Sequence, residues 1–308
     1  MGRNLRGQFN YAINKSFEDG HGTSKHSDKR NGVQDGSKIY SYSTRNQRLD
    51  VSNQFASWMK DNHSEVKKAT QVNSSHVQGF LLDKSKNCSN ETLNQYRSQL
   101  LGLGKNINRI FNGNVDLSCS KVSGNQSKSI RVNPMLKKDF NRLKESYKPY
   151  TTGFNALTIT SAGGCRVSEL SKLKNKDITI GKDREVATIF VKDGKGGRDR
   201  TIIVTDKDRI KELEDLKNNL GGSEERVCPC QTGSLMKNLD RHMKQVGIKS
   251  CYQNQGFHSI RKMYAQNEYD AYRSSHTRQE SLDYVSRQLG HGSDRDLKTL
   301  QRYITNIY

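Results

Sequence analysis

Residues 185–205 read EVATIFVKDGKGGRDRTIIVT. Two runs rich in β-branched residues, 185–192 and 200–205, flank a Gly-rich heptapeptide, DGKGGRD. That combination predicts an antiparallel hairpin. Ile178 and Ile180 add a third short strand just upstream. Outward in both directions the apolar period changes from two to about 3.6, the period of an amphipathic helix. Downstream, Ile210, Leu213, Leu216 and Leu220 form one stripe, and Leu235, Met236, Leu239 and Met243 a second. Leu282, Val285 and Leu289 form a third, opened by the capping box Thr277-x-x-Glu280. Upstream, a helical stretch carries Met135, Leu136, Phe140 and Leu143. FNALTIT (154–160) then leads into a helix containing Arg166 and Glu169. Residues 134–308 therefore read as a mixed α/β domain with one small antiparallel sheet.

The N-terminal part has no strand signal. Leu49, Phe55, Trp58 and Met59 lie at helical spacing, with Ser43 or Thr44 as N-cap; a second helix carries Val77, Phe80 and Leu81. A third spans about 90–112, where Leu93, Leu100 and Ile107, and Tyr96, Leu103 and Ile110, repeat every seven residues. Gly102 and Gly104 work against that helix. Residues 39–113 thus predict a small helical domain, and the whole chain is mainly α. Residues 1–38, polar and rich in Gly, Ser, Asn and Lys, predict a flexible basic arm, and 114–133 a linker. No internal repeat is visible.

The chain has 308 residues with 52 Lys plus Arg against 32 Asp plus Glu, a formal net charge of +20, and 31% hydrophobic residues. Its pI is 9.7 and its mean hydropathy −0.93. Two modest cores fit this material better than one large one. No run of about 18 apolar residues occurs, which excludes a membrane-spanning helix, and MGRNLRGQFN is unlike a secretory signal. Arg6 stands where myristoylation wants Ser or Thr. Six cysteines, at 88, 119, 165, 228, 230 and 251, show no zinc spacing, so reduced thiols and no metal are expected. The charge points to a polyanionic partner held by salt-sensitive contacts, with DNA and RNA both open.

Four clusters could carry chemistry: Arg166 to Glu169, Lys195 in Gly194-Lys195-Gly196-Gly197, His258 and Arg261, and Leu289-Gly290-His291 with Tyr303 twelve residues on. Each has an ordinary reading. Arg166 and Glu169 pair at i, i+3 on a helix. Lys195 belongs to a turn, and no GxxxxGK[ST] frame surrounds it. His258 and Arg261 share a solvated helix face, His291 follows a helix C-cap, and Tyr303 packs beside Leu300 and Ile304.

Together they form a set for attack on a phosphodiester without metal. Arginine forks bind phosphate oxygens bidentately, and fixed donors of this kind are worth roughly 3–4 kcal/mol each in a transition state. A phenol of pKa about 10 needs a base or a positive field, which histidines and arginines supply. A lysine on a hairpin can protonate the departing sugar oxygen.

The order Arg-x-x-Glu-Leu, Lys in a GKGG hairpin, His-x-x-Arg, Leu-Gly-His and Tyr resembles the tyrosine recombinases of the phage-integrase type. The resemblance covers roughly 136–308, preceded by a helical domain of core-binding size. It implies a catalytic domain of the DNA breaking-rejoining fold. Arg166 and Arg261 would clamp the scissile phosphate and Lys195 would protonate the 5′-hydroxyl. His258 would assist proton transfer from Tyr303, and His291 would hydrogen-bond the phosphate. Tyr303 would form a 3′-phosphotyrosyl bond, and Glu169 would brace the arginine loop. No cofactor, ATP or metal is implied. The expected partner is double-stranded DNA, clamped by a homotetramer of a protein monomeric when free, with a mobile-element role in the bacterial cytoplasm. The arm at 1–38 would either bind accessory DNA sites, as in some integrases, or be a disordered tail.

The chain departs from the family pattern in Lys262-Met263-Tyr264 after Arg261, and in the thirty residues from Arg261 to His291. The His291–Tyr303 gap is also a few residues long, with Gly292-Ser293-Asp294 to absorb it. Tyr308 is the second choice of nucleophile. Two alternatives stand beside this reading: a catalytically inactive basic DNA- or RNA-binding protein of the same fold, and a metal-dependent nuclease using His258 and His291, which lacks a carboxylate cluster.

Overall fold

The computed structural model describes residues 4–23, 25–32, 36–125, 133–194, 198–252, 255–291 and 300–308. The chain divides into two compact units, residues 1–128 and 129–308. The division falls within the expected linker, outside the described residues.

The first unit is helical: α1 (Leu5–Glu18), α2 (Lys25–Arg30), α3 (Tyr42–Asn62), α4 (Ser74–Ser85) and α5 (Asn90–Phe111). The flexible arm expected over 1–38 is corrected for residues 5–18. Phe9, Ala12, Ile13 and Phe17 form a helical stripe buried in the same core as Phe55, Phe80 and Leu103. Phe9 stacks on Phe55 with ring centroids 6.0 Å apart. Fully burying a side chain such as Phe9 or Ile13 is worth about 1.5–3 kcal/mol, and two or three of them hold a helix whose composition is polar. The linker is corrected too: Val115, Leu117 and Val122 belong to this core. The α3 cap is Ser41, whose Oγ accepts the Thr44 N–H at 3.2 Å, two or three residues before the expected Ser43 or Thr44.

Gly102 and Gly104, weak helix formers, are explained by close approach. A Cβ on Gly102 would stand 2.3 Å from Nη2 of Arg48, and one on Gly104 3.1 Å from Cγ of Leu117. Arg48, buried in this core, donates to Asn106 Oδ1 at 2.7 Å and Gln99 Oε1 at 3.3 Å.

The second unit contains α6 (Lys137–Glu145), α7 (Thr152–Gly163), α8 (Val167–Leu170), β1 (Ile178–Ile180), β2 (Ala187–Val191) and β3 (Arg200–Val204). Four helices follow: α9 (Lys207–Asn218), α10 (Thr232–Gln245), α11 (Gly256–Arg273) and α12 (Arg278–Gln288). The strands run antiparallel in the order β1-β2-β3. Ile178 pairs with Ile189, and Ile189 with Ile202, so one face is apolar and buried. The expected architecture, mainly α with a small antiparallel sheet, is the observed one.

FNALTIT lies inside α7 itself, and the helix it was expected to lead into is the single turn α8. All of α7 from Asn155 to Gly163 is buried, so packing on every side overrides the β-branched run of Thr158, Ile159 and Thr160. Met236 also departs from its stripe: it is exposed, and Leu235, Leu239 and Met243 carry the buried face of α10. Among the described residues no helix is long and apolar enough to cross a membrane. All six cysteines are free, with Cys165 and Cys228 buried and Cys251 exposed. Burial pushes the Cys165 and Cys228 thiols up to about 12.

Candidate active site

Arg166 owes its place to a sharp break after α7. Gly164 ends that helix at φ +58, and a Cβ there would stand 2.3 Å from Cδ1 of the buried Tyr264. Only glycine meets both conditions at no cost. The chain then extends through Cys165 and re-enters helix at α8, with Arg166 as N-cap. Glu169 holds Arg166 twice: Oε2 accepts the Arg166 backbone N–H at 2.8 Å, and Oε1 accepts from Arg166 Nη1 at 2.8 Å. The ordinary i, i+3 pairing therefore exists, and it leaves Arg166 Nη2 to reach the Leu289 carbonyl at 3.3 Å.

His258 and Arg261 lie one turn apart near the start of α11. Arg261 is 2% exposed, not part of a solvated face. Its Nη1 donates to the Gly164 carbonyl and its Nη2 to the Leu289 carbonyl, the latter at 2.6 Å. Its Nε is buried and has no hydrogen-bond partner. Burial, followed by the nearby Arg166 charge, pulls the Arg261 guanidinium down to about 10, so it stays charged at neutral pH. Lys262, Met263 and Tyr264, the residues that break the expected pattern after Arg261, are all buried in α11.

His291 is fixed by the end of α12. Gly290 adopts φ +68, its N–H bonds the Arg287 carbonyl at 2.9 Å, and the His291 N–H bonds the Ser286 carbonyl at 2.9 Å. These two bonds are a Schellman cap, so the C-cap reading of Leu-Gly-His is also what orients His291. The same turn offers the Leu289 carbonyl to both arginines.

Tyr303 lies in a turn, and its N–H bonds the Leu300 carbonyl at 2.8 Å. Leu300 and Ile304 on either side are buried with Tyr264, Tyr269, Leu282 and Val285, which seats the tyrosine against α11 and α12. Its ring centroid is 5.2 Å from that of His258 and 5.3 Å from that of His291. The Arg261 guanidinium carbon lies 5.5 Å from the same centroid. Tyr308 is placed elsewhere: its carbonyl accepts from Tyr269 at 2.8 Å and Arg273 at 3.2 Å, two to three turns further along α11. Five of the six expected residues are thus brought together. Lys195 lies outside the described residues, as do Gly292, Ser293 and Asp294; the hairpin is described up to Gly194, whose N–H bonds the Arg198 carbonyl at 2.9 Å.

The sequence reading missed a third arginine. Arg200 opens β3 with its side chain 8% exposed, Nη1 2.9 Å from Glu169 Oε1 and Nη2 2.7 Å from Oε2. The period of two was the available signal: Arg200 shares its face with the buried Ile202 and Val204, an inward position where a charge needs a partner. Burial would raise the Glu169 carboxyl, but the hydrogen bonds and charge of Arg200, then those of Arg166, outweigh it and hold Glu169 at about 2. Among the described residues, no group of three or more His, Cys, Asp or Glu is placed to hold a metal ion. The large cavity of about 1110 Å³, lined in part by Arg6, Lys60 and Phe111, lies in the first unit and includes none of these residues.

No protein-family model matches the sequence, and the search of curated proteins gave no match. Solved structures do match. XerH site-specific recombinase in a post-cleavage complex with palindromic difH substrate superposes with a TM-score of 0.63 at 16% identity, covering 97% of this chain and 90% of that one. XerH in a pre-cleavage complex with difH gives 0.62 at 18%, with the same coverage. A lambda integrase dimer bound to a COC′ core site gives 0.62 at 16%, over 95% of this chain and 79% of that one. These neighbours are tyrosine recombinases, and the fold of this chain is theirs.

Proposed function

We propose that this chain is a site-specific DNA recombinase that cuts and rejoins strands through a phosphotyrosine formed on Tyr303. The observation that carries the reading is the setting of that one ring: His258 and His291 at its edges, the Arg261 guanidinium over it, and Arg261 Nε buried with no hydrogen-bond partner. A buried, charged donor with nothing to bond costs free energy unless an anion completes it. A phosphate oxygen is an anion of the right kind, and Arg166, tied to Arg261 through the Leu289 carbonyl, offers a second fork beside it.

In the proposed reaction the Tyr303 phenolate oxygen attacks phosphorus and the bond to the 5′-oxygen breaks. The phenolic proton leaves toward His258, and Lys195 protonates the 5′-hydroxyl as it departs. Arg166, Arg261 and His291 hold the extra negative charge of the pentacoordinate state. The ester to Tyr303 conserves the energy of the broken bond, so a 5′-hydroxyl reverses the step and seals a strand without ATP. The guanidinium groups supply the charge that a metal would otherwise provide. A phosphodiester is the substrate this chemistry requires; double-stranded DNA is the one proposed, and the net charge of +20 suits it. Strand exchange between two duplexes calls for four such sites, hence the expected homotetramer on DNA and the integrase-like role for a mobile element.

The test is a pool of end-labelled, nicked duplexes of randomised sequence, incubated with the full chain in EDTA and resolved on a denaturing gel. A protein–DNA adduct that Tyr303→Phe abolishes is the expected result. Salt-sensitive binding without any adduct would return the chain to the inactive DNA-binding alternative. An adduct that persists in Tyr303→Phe would move the nucleophile to another residue.

A further inference from the structure

We infer that Arg200 is a positioning residue that holds Arg166, Gly194 at the end of β2's hairpin and the His291 turn in one arrangement; the inference rests on the recombinase reading above. Arg200 lies where the three segments meet. Through Nη1 and Nη2 it grips both oxygens of Glu169, the carboxylate that also holds the backbone N–H and Nη1 of Arg166. Through Nε it bonds the Gln288 carbonyl at 3.2 Å, one residue before the carbonyl shared by Arg166 and Arg261. Gln288 returns the connection, its Oε1 accepting the Ile203 N–H of β3 at 3.0 Å.

Two glycines close around the same side chain. A Cβ on Gly290, next to His291, would stand 2.8 Å from Arg200 Cδ. A Cβ on Gly194, next to Lys195, would stand 3.1 Å from Arg200 Nη1 and 3.4 Å from Glu169 Oε1. Arg200 therefore packs against the backbone on both sides and has all three nitrogens engaged. Every Arg200 nitrogen already bonds a protein acceptor, which separates its role from that of Arg261, with its unpartnered Nε.

The geometry needs a planar fork. A lysine at 200 would keep the charge but has one nitrogen, so it could not hold both Glu169 oxygens and the Gln288 carbonyl together. Glu169 would keep Arg166, while the turn at 288–291 would be held to β3 only through the Gln288 side chain and the Ile203 N–H. A misplacement of about 1 Å at groups of this kind costs on the order of 100-fold in rate.

The test compares wild type, Arg200→Lys and Arg200→Ala in two measurements. The first is the rate of covalent adduct formation on the nicked-duplex pool, alongside DNA affinity. Both variants are expected to be about 100-fold slower with affinity within about 3-fold, and added guanidinium ion is expected to restore part of the Arg200→Ala rate. A folded Arg200→Lys that reacts at the wild-type rate would overturn the inference. The second is backbone hydrogen exchange without DNA, expected to quicken in Arg200→Lys at both 164–170 and 286–291. Unchanged exchange at both segments would overturn it whatever the adduct gel shows. Absence of adduct from wild type, by contrast, counts against the recombinase reading alone.

Discussion

Each unit of this protein buries an arginine, and the two burials differ in how they are completed. Arg48, in the helical first unit, has Asn106 and Gln99 as neutral acceptors and sits in a notch left by Gly102. Arg261, in the second, donates to two backbone carbonyls, leaves Nε without a partner, and lies over the Tyr303 ring. Burial pulls both guanidiniums down to about 10. Both are desolvated, and the buried Nε without an acceptor marks Arg261. A buried cation whose hydrogen bonds go to its own core braces that core. One that keeps a buried donor without an acceptor beside the Tyr303 ring is, under the proposed reaction, free to take an anion.

That contrast breaks if the two arginines prove interchangeable in their effects. Under the proposed reaction, Tyr303→Phe removes the attacking oxygen and adduct formation should fall below detection on a denaturing gel. Arg261→Ala should slow the adduct by about 100- to 1,000-fold, the effect of losing one fixed donor in other enzymes, as read by single-turnover kinetics. Arg48→Ala should act on stability instead. It strands the buried Asn106 acceptor and empties the space beside Gly102, and should lower first-unit stability by about 2–3 kcal/mol in urea unfolding. A slowed adduct from Arg48→Ala at full folding would erase the distinction.

Glu169 sharpens the comparison by pH. Its folded carboxyl sits at about 2 against an ordinary 4.5, so it contributes stability that is fully present above the ordinary value and is lost as pH falls toward 2. The amount at neutral pH is about 3 kcal/mol, and Glu169→Gln should remove that acid-side slope from unfolding curves of the second unit. The smallest effect is expected at Tyr308, bound through its carbonyl by Tyr269 and Arg273. Tyr308→Phe should change adduct yield less than about 2-fold, since the side-chain hydroxyl is remote from His258 and Arg261 along α11.

Much of this was legible from residue order. The hairpin around Gly194, the capping box at Thr277 and the stripes of α5 and α9 follow from local periodicity and turn chemistry, which need only neighbours in the chain. Arg166, His258, Arg261, His291 and Tyr303 were named because their side-chain chemistry fits one reaction, not because anything local placed them together.

What the sequence determined by itself was the set of elements, the mainly helical class with one small antiparallel sheet, and a list of groups suited to a phosphodiester. Tertiary structure alone decided three things. Residues 5–18 join the first core because Phe9 and Ile13 find Phe55 there, an event that polar composition hides. The Leu289 carbonyl becomes the shared acceptor of Arg166, 123 residues away in the chain, and Arg261, 28 residues away. Arg200 turns inward to Glu169 because the strand pleat leaves that face no other direction. Each depends on contacts between segments far apart in the chain, and such contacts leave no periodic mark in the order of residues.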